Sequence, residues 1–243
     1  YPKGRQIQEG VVIHRFPVTQ SNSARHSELE VRLSRQGFMP RPDQYDWLMS
    51  GIHSVPLYQD LVHHINDFDV VIGLPYTAPL VHYAAWIAPE KVVIWPCLHD
   101  EPYAYMEPIR LLLENVFGVM FLSPEEGTLA LERLGIYPLH FGVLGGGIKF
   151  VDPPRQVGPE GLLYLGRLEE GKNLSLLYRY VRRYYDQGGD IKLTVFGRGP
   201  LEPPHHPAFD YRGFVPEEDK ALVCASSLSG RRLPLRTPRR TPW

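Results

Sequence analysis

The sequence predicts an α/β protein of two Rossmann-like, doubly wound parallel-sheet domains, and three observations predict it. Short apolar runs recur without the alternation expected of a half-solvated strand. Helical patterns fall between them. A glycine triplet followed by proline-rich chain breaks the series near residue 150.

The runs fall at residues 11–13, 70–72, 92–94, 119–122, 162–165 and 191–196, and each reads as a strand buried on both faces. Helices are expected at 77–88, 103–117, 124–134 and 174–185. The third is the best punctuated, with Ser123 as N-cap, Pro124 at the first helical position, Glu126 completing a capping box and Gly135 as the stop. The fourth carries Leu174, Leu177, Val181 and Tyr184 at helical spacing behind Asn173 as a plausible cap. Residues 20–60 read as loop with short helices, because Met39-Pro40-Arg41-Pro42 interrupts the pattern before a helix around residues 45–49. Gly145-Gly146-Gly147, Pro153-Pro154 and Gly158-Pro159 mark the boundary. The expected units are 1–150, 151–229 and an irregular Arg/Pro-rich tail at 230–243. A short strand at 211–215 and a helix from Pro216 close the second unit.

The bulk numbers narrow the function classes. A chain of 243 residues with 43% apolar content is large enough for packed cores. No run of 18 apolar residues occurs and the first residues lack a signal-peptide plan, so neither spanning nor export is expected. The two cysteines, Cys97 and Cys224, lie far apart, which argues against a disulfide framework or a zinc site and fits a cytoplasmic location. Net charge is -1, yet without Arg231, Arg232, Arg236, Arg239 and Arg240 there are 21 basic residues against 27 acidic ones. A general nucleic-acid binder is therefore not expected.

Chemistry concentrates behind three strands. In the segment Gly166-Arg167-Leu168-Glu169-Glu170-Gly171-Lys172, a glycine turn, an Arg and a Lys stand between a strand and a helix start. That pattern suits an anion, although solvated loop charges would look the same. Phe196-Gly197-Arg198-Gly199-Pro200 ends the next strand with turns that let a ligand approach the backbone. Gly213-Phe214-Val215 follows the third. At the end of an earlier strand, His99 is either a ligand-facing residue or an ordinary loop histidine. A Cys97/His99 nucleophile pair lacks an orienting group, and the adjacent Asp100 and Glu101 project apart, so neither reads as catalytic. The pairs His63-His64 and His205-His206 lack partners at metal-binding spacing, and no metal site is expected.

Taken together, the three segments resemble the donor-binding domain of family-4 (group 1) retaining glycosyltransferases, which have the two-domain GT-B fold. The resemblance covers about residues 160–226 and, more loosely, 92–100 and 121–126. It implies a nucleoside diphosphate sugar as donor substrate, no further cofactor, and an acceptor hydroxyl as the other partner. It implies that Arg167 and Lys172 hold the diphosphate, that Gly166, Gly197, Gly199, Phe214 and Val215 lie at the nucleotide, and that His99 positions the transferred sugar in the cleft. The family's opening strand with its glycine-rich turn and its later pair of glutamates have no counterpart here, since no Glu follows Glu218. The chain thus reads as cut at both ends, with the second domain incomplete, and is expected to be inactive by itself. The alternative is a non-catalytic nucleotide-binding or interaction module. A dinucleotide oxidoreductase would need a G-x-G-x-x-G turn that the first strand lacks. Sugar, base, acceptor and oligomeric state are not legible, and peripheral membrane association is left open.

Overall fold

The computed structural model of the chain describes residues 4–19, 21–147 and 161–216. The chain divides into two compact units, Tyr1–Gly147 and Ile148–Trp243. The proline-rich boundary at 153–159, Cys224, the helix expected after Pro216 and the tail at 230–243 fall outside the described residues.

The first unit opens with a hairpin, β1 (Gly4–Gln8) antiparallel to β2 (Val11–Arg15). Its turn residues Glu9 and Gly10 both take positive φ, 53° and 82°, the conformation that two-residue hairpin turns favour. The run at 11–13 is therefore not a buried parallel strand. Val11 is 62% exposed and Val12 47%.

Residues 20–60 correct the expectation further. They hold α1 (Ser23–Gln36), α2 (Arg41–Ser50) and α3 (Val55–His64). The apolar signal in α1 is sparse because Leu29 and Leu33 alone are buried there. The two helices are also joined by charge: Arg25 pairs with Asp46 at 2.7 Å, and Arg32 pairs with Asp43. Met39-Pro40-Arg41-Pro42 initiates a helix here. Pro40 occupies the N-cap position and Pro42 the first turn, where a missing N–H costs nothing.

A four-stranded parallel sheet follows, in the order β3 (Val71–Gly73), β4 (Val92–Ile94), β5 (Gly118–Phe121) and β6 (Phe141–Val143). The connecting helices are α4 (Pro79–Ala85), α5 (Glu107–Asn115) and α6 (Pro124–Thr128), the last continued by a π turn at Leu129–Arg133. A sequential strand order with right-handed crossovers brings such helices to one face. Accordingly a Cβ at Gly73 would strike Val81 of α4, and one at Gly127 of α6 would touch the ring of Phe121. On that face Val92, Ile94, Val119 and Phe121 are buried, whereas Ile72 on the other face is 54% exposed. The strands are thus parallel, as their apolar runs predict, but among the described residues this sheet is well covered on one face only and there over β4 and β5, since Phe141 and Val143 of β6 on the same face stay more than half exposed.

The second unit repeats the scheme with β7 (Leu162–Leu165), α7 (Leu174–Asp186), β8 (Leu193–Phe196) and β9 (Phe209–Gly213), a parallel sheet in the order β7-β8-β9. Leu174, Tyr178 and Val181 of α7 pack on Leu193 and Val195. Asn173 sits at the N-cap position but in a left-handed conformation (φ 57°), and its side chain accepts no capping bond. Its carbonyl takes the amides of Leu176 and Leu177 instead.

Candidate functional site

Three loops leave the carboxyl edge of the second sheet and enclose a cavity of about 410 Å³. Its lining is Leu165, Gly166, Arg167, Gly197, Arg198, Phe214 and Val215. Five of these residues are expected at a nucleotide site from the sequence: Gly166, Arg167, Gly197, Phe214 and Val215. Lys172 and Gly199 are not in the lining. Lys172 ends an exposed 3-10 turn, Glu170–Lys172, ahead of α7.

The loops are fastened to one another by backbone. The Gly166 amide donates to Phe196 O (3.1 Å), Leu168 N–H to Arg198 O (3.0 Å), and Gly197 N–H to Gly213 O (2.8 Å). This close approach is why glycines recur. A Cβ at Gly197 (φ +147°) would lie 1.8 Å from the carbonyl oxygen of Gly166, and one at Gly199 (φ +159°) would lie 2.1 Å from that of Leu168. On the side where a Cβ would point, the space beside these glycines is filled by the neighbouring loop, while Gly197 still borders the cavity with its backbone.

Side chains complete the lining. The Arg167 guanidinium is 75% exposed and reaches Glu169 at 3.2 Å, while the Tyr164 hydroxyl donates to the Arg167 carbonyl at 2.7 Å. Burial raises the Tyr164 phenol above its ordinary pKa, with Glu169 adding to the effect, so that hydroxyl remains a donor. Across the cavity the Arg198 guanidinium carbon stands 4.7 Å from the centroid of the Phe214 ring, a cation–π contact. Phe214 is 57% exposed. The Tyr211 hydroxyl lies 3.2 Å from Gly197 O and 3.3 Å from Glu202, and burial followed by Glu202 pushes its pKa up. Two cations, an exposed aromatic face and a half-buried apolar floor can take a ligand that is anionic at one end and flat at the other. Arg198 is the residue the sequence reading passed over. Its signal was its place between the two glycines at a strand's carboxyl end.

In the first unit, His99 is exposed in the loop beyond the carboxyl end of β4. Its neighbours Asp100 and Glu101 do turn to different partners. Asp100 accepts the Tyr105 hydroxyl (2.7 Å) and pairs with Arg133, whereas Glu101 accepts the buried Tyr76 hydroxyl at 2.7 Å. Burial, then Glu126, raises the Cys97 thiol, the opposite of what a nucleophile needs. The Nδ1 atoms of His63 and His64 bind carbonyls of their own helix, at Gln59 and Asp60. His206 bonds Asp186 at 3.0 Å. No group of three potential metal ligands is found among the described residues, nor is any described helix long and apolar enough to cross a membrane.

No family model matches the chain, and no curated protein matches it by sequence. Among solved structures it is similar to Arabidopsis thaliana UGT89C1 complexed with UDP, at 14% identity and a TM-score of 0.39. That match covers 66% of this chain and 49% of the other, so this chain spans about half of that protein's length.

Proposed function

We propose that the second unit binds a nucleoside diphosphate sugar and that the protein is a glycosyltransferase of the GT-B type, related to the retaining family 4. One observation carries the reading: the loops after β7, β8 and β9 bring two guanidiniums and an exposed aromatic ring to a single cavity at the sheet's carboxyl edge, where such folds take ligands. In the reaction the sugar's anomeric carbon exchanges its bond to the diphosphate for one to an acceptor hydroxyl, and the nucleoside diphosphate departs. Arg167 stabilises the charge that grows on the departing diphosphate, and Lys172, which is not part of the lining, adds a second positive charge ahead of α7. His99 positions the sugar, and the compartment is the cytoplasm.

Calorimetry with UDP, GDP and ADP tests the reading. One of the three is expected to bind, and Arg167→Ala should weaken it by about 1.5–3 kcal/mol, the range for a hydrogen bond to a charged group. Lys172→Ala should cost less, because Lys172 lies outside the lining. Affinity unchanged by Arg167→Ala would remove the site. Nucleotide binding without sugar transfer would favour a non-catalytic binding module.

A further inference from the structure

We propose that Arg198 is a ligand-exchanged residue. Its guanidinium covers the Phe214 ring in the free protein and moves to the ligand's phosphates when a nucleobase takes its place on that ring. The inference rests on the nucleoside diphosphate reading above and assigns Arg198 and the Phe214 side chain roles within that site.

The argument begins with space. A planar base held between guanidinium and ring would need two van der Waals layers of roughly 3.5–4 Å each, whereas Arg198 lies 4.7 Å from the ring centroid. The ring can therefore be stacked by the guanidinium or by a base, but not by both on that face. Phe214 is 57% exposed, so an aromatic face is available once the guanidinium leaves.

Charge makes the second half of the argument. Among the described residues, Arg167 is paired with Glu169 and Arg212 with Asp210, but Arg198 has no carboxylate partner. It is held by an exposed cation–π contact alone, which is weak enough to be given up for a phosphate. Both arginines line the same cavity, so a diphosphate attached to a base on Phe214 lies within the reach of a long, rotatable side chain. Base and phosphate binding then become coupled through one residue: the base displaces Arg198, and the phosphate gives it a better partner.

Two variants of exposed side chains test the coupling. The probes are whichever of UDP, GDP and ADP binds the wild type, its free nucleoside and inorganic pyrophosphate, with affinities from calorimetry and NMR titration. Arg198→Gln is expected to weaken the diphosphate and pyrophosphate about tenfold or more, the effect of losing a hydrogen bond to a charged group. The nucleoside should hold its affinity or gain about two- to fivefold, because its competitor for the ring is gone. Phe214→Leu should weaken nucleoside and nucleoside diphosphate alike, by about fivefold or more, and leave pyrophosphate unchanged. Equal losses for nucleoside and nucleoside diphosphate in Arg198→Gln would overturn the exchange while leaving the nucleotide site standing. A wild type that binds none of the three diphosphates would remove both.

Discussion

At Gly197 the backbone runs at φ +147° with the Gly166 carbonyl oxygen 1.8 Å from where a Cβ would sit. The conformation alone costs a side chain roughly 1–3 kcal/mol, and the clash adds to it. Gly171, by contrast, has ordinary φ, with the nearest atom to a built Cβ 3.9 Å away at the end of Glu169. Gly197→Ala should therefore lower the melting temperature of the second unit strongly and Gly171→Ala hardly at all. Equal shifts would sink the close-approach account. His82 carries a different liability. It is 2% exposed, its Nε2–H donates to the Tyr76 carbonyl at 2.8 Å, and burial lowers its pKa to about 4. Above its unfolded pKa of about 6.5 both states are neutral and the fold keeps its full stability. Between about 6.5 and 4 only the unfolded chain takes up the proton, so stability falls as pH falls, by roughly 3 kcal/mol in all. Denaturant melts of wild type and His82→Gln at pH 7 and pH 4.5 would show this as a smaller acid loss in the variant. Parallel losses would mean that His82 is not the group responsible.

At the scale of elements, the signals that survived were those fixed by local chemistry. Ser123 does cap α6, accepting the Glu126 amide at 3.3 Å, and Ser123→Ala should cost about 1 kcal/mol in denaturant unfolding of the first unit. No loss there would mean that the cap is idle. Glu126 completes the cap one residue earlier than a capping box predicts, accepting Leu122 N–H at 2.9 Å. The strands at 71–73, 92–94, 118–121, 162–165 and 193–196 were legible from their apolar runs, although 71–73 and 162–165 are only partly covered, with Ile72 54% and Leu162 40% exposed. Strand β6 was not, since Phe141-Gly142-Val143 is short and lies at an edge where Phe141 and Val143 stay more than half exposed. Helix α1 hid for a related reason. With one pair of buried leucines and much of its fastening done by ion pairs to α2, its pattern could be recognised only once the partner helix was in place. The candidate site shows the same division: Arg167 stood out from its strand end and Phe214 from the resemblance, while the close approach at Gly199 and the Arg198–Phe214 contact depended on which loop lies against which.

Across the whole chain, the described residues form two separate apolar cores. One joins Leu29, Trp47, Ile94, Leu112 and Phe121 of the first unit, and the other joins Leu168, Tyr178, Leu193 and Val195 of the second. Each sheet has its own helices on its buried face, and the candidate nucleotide cavity is built from residues 165–215 alone. Stability should then be lost unit by unit. Leu112 is fully buried in the first core, and Leu112→Ala should cost about 2–5 kcal/mol through lost burial and the hole left behind. In hydrogen-exchange mass spectrometry of the full chain, that loss should appear in β4, α5 and β5 and leave the protection of β7 and β8 unchanged. Leu193→Ala should give the reverse pattern. Nucleoside diphosphate affinity should follow the same division, holding within about twofold in Leu112→Ala, because Leu112 belongs to the first unit's core and lines no part of the cavity, and falling in Leu193→Ala as the strand beneath Gly197 loosens. If either substitution lowered protection in both units together, the two cores would be one cooperative body, and the cavity could not be treated as the property of the second unit.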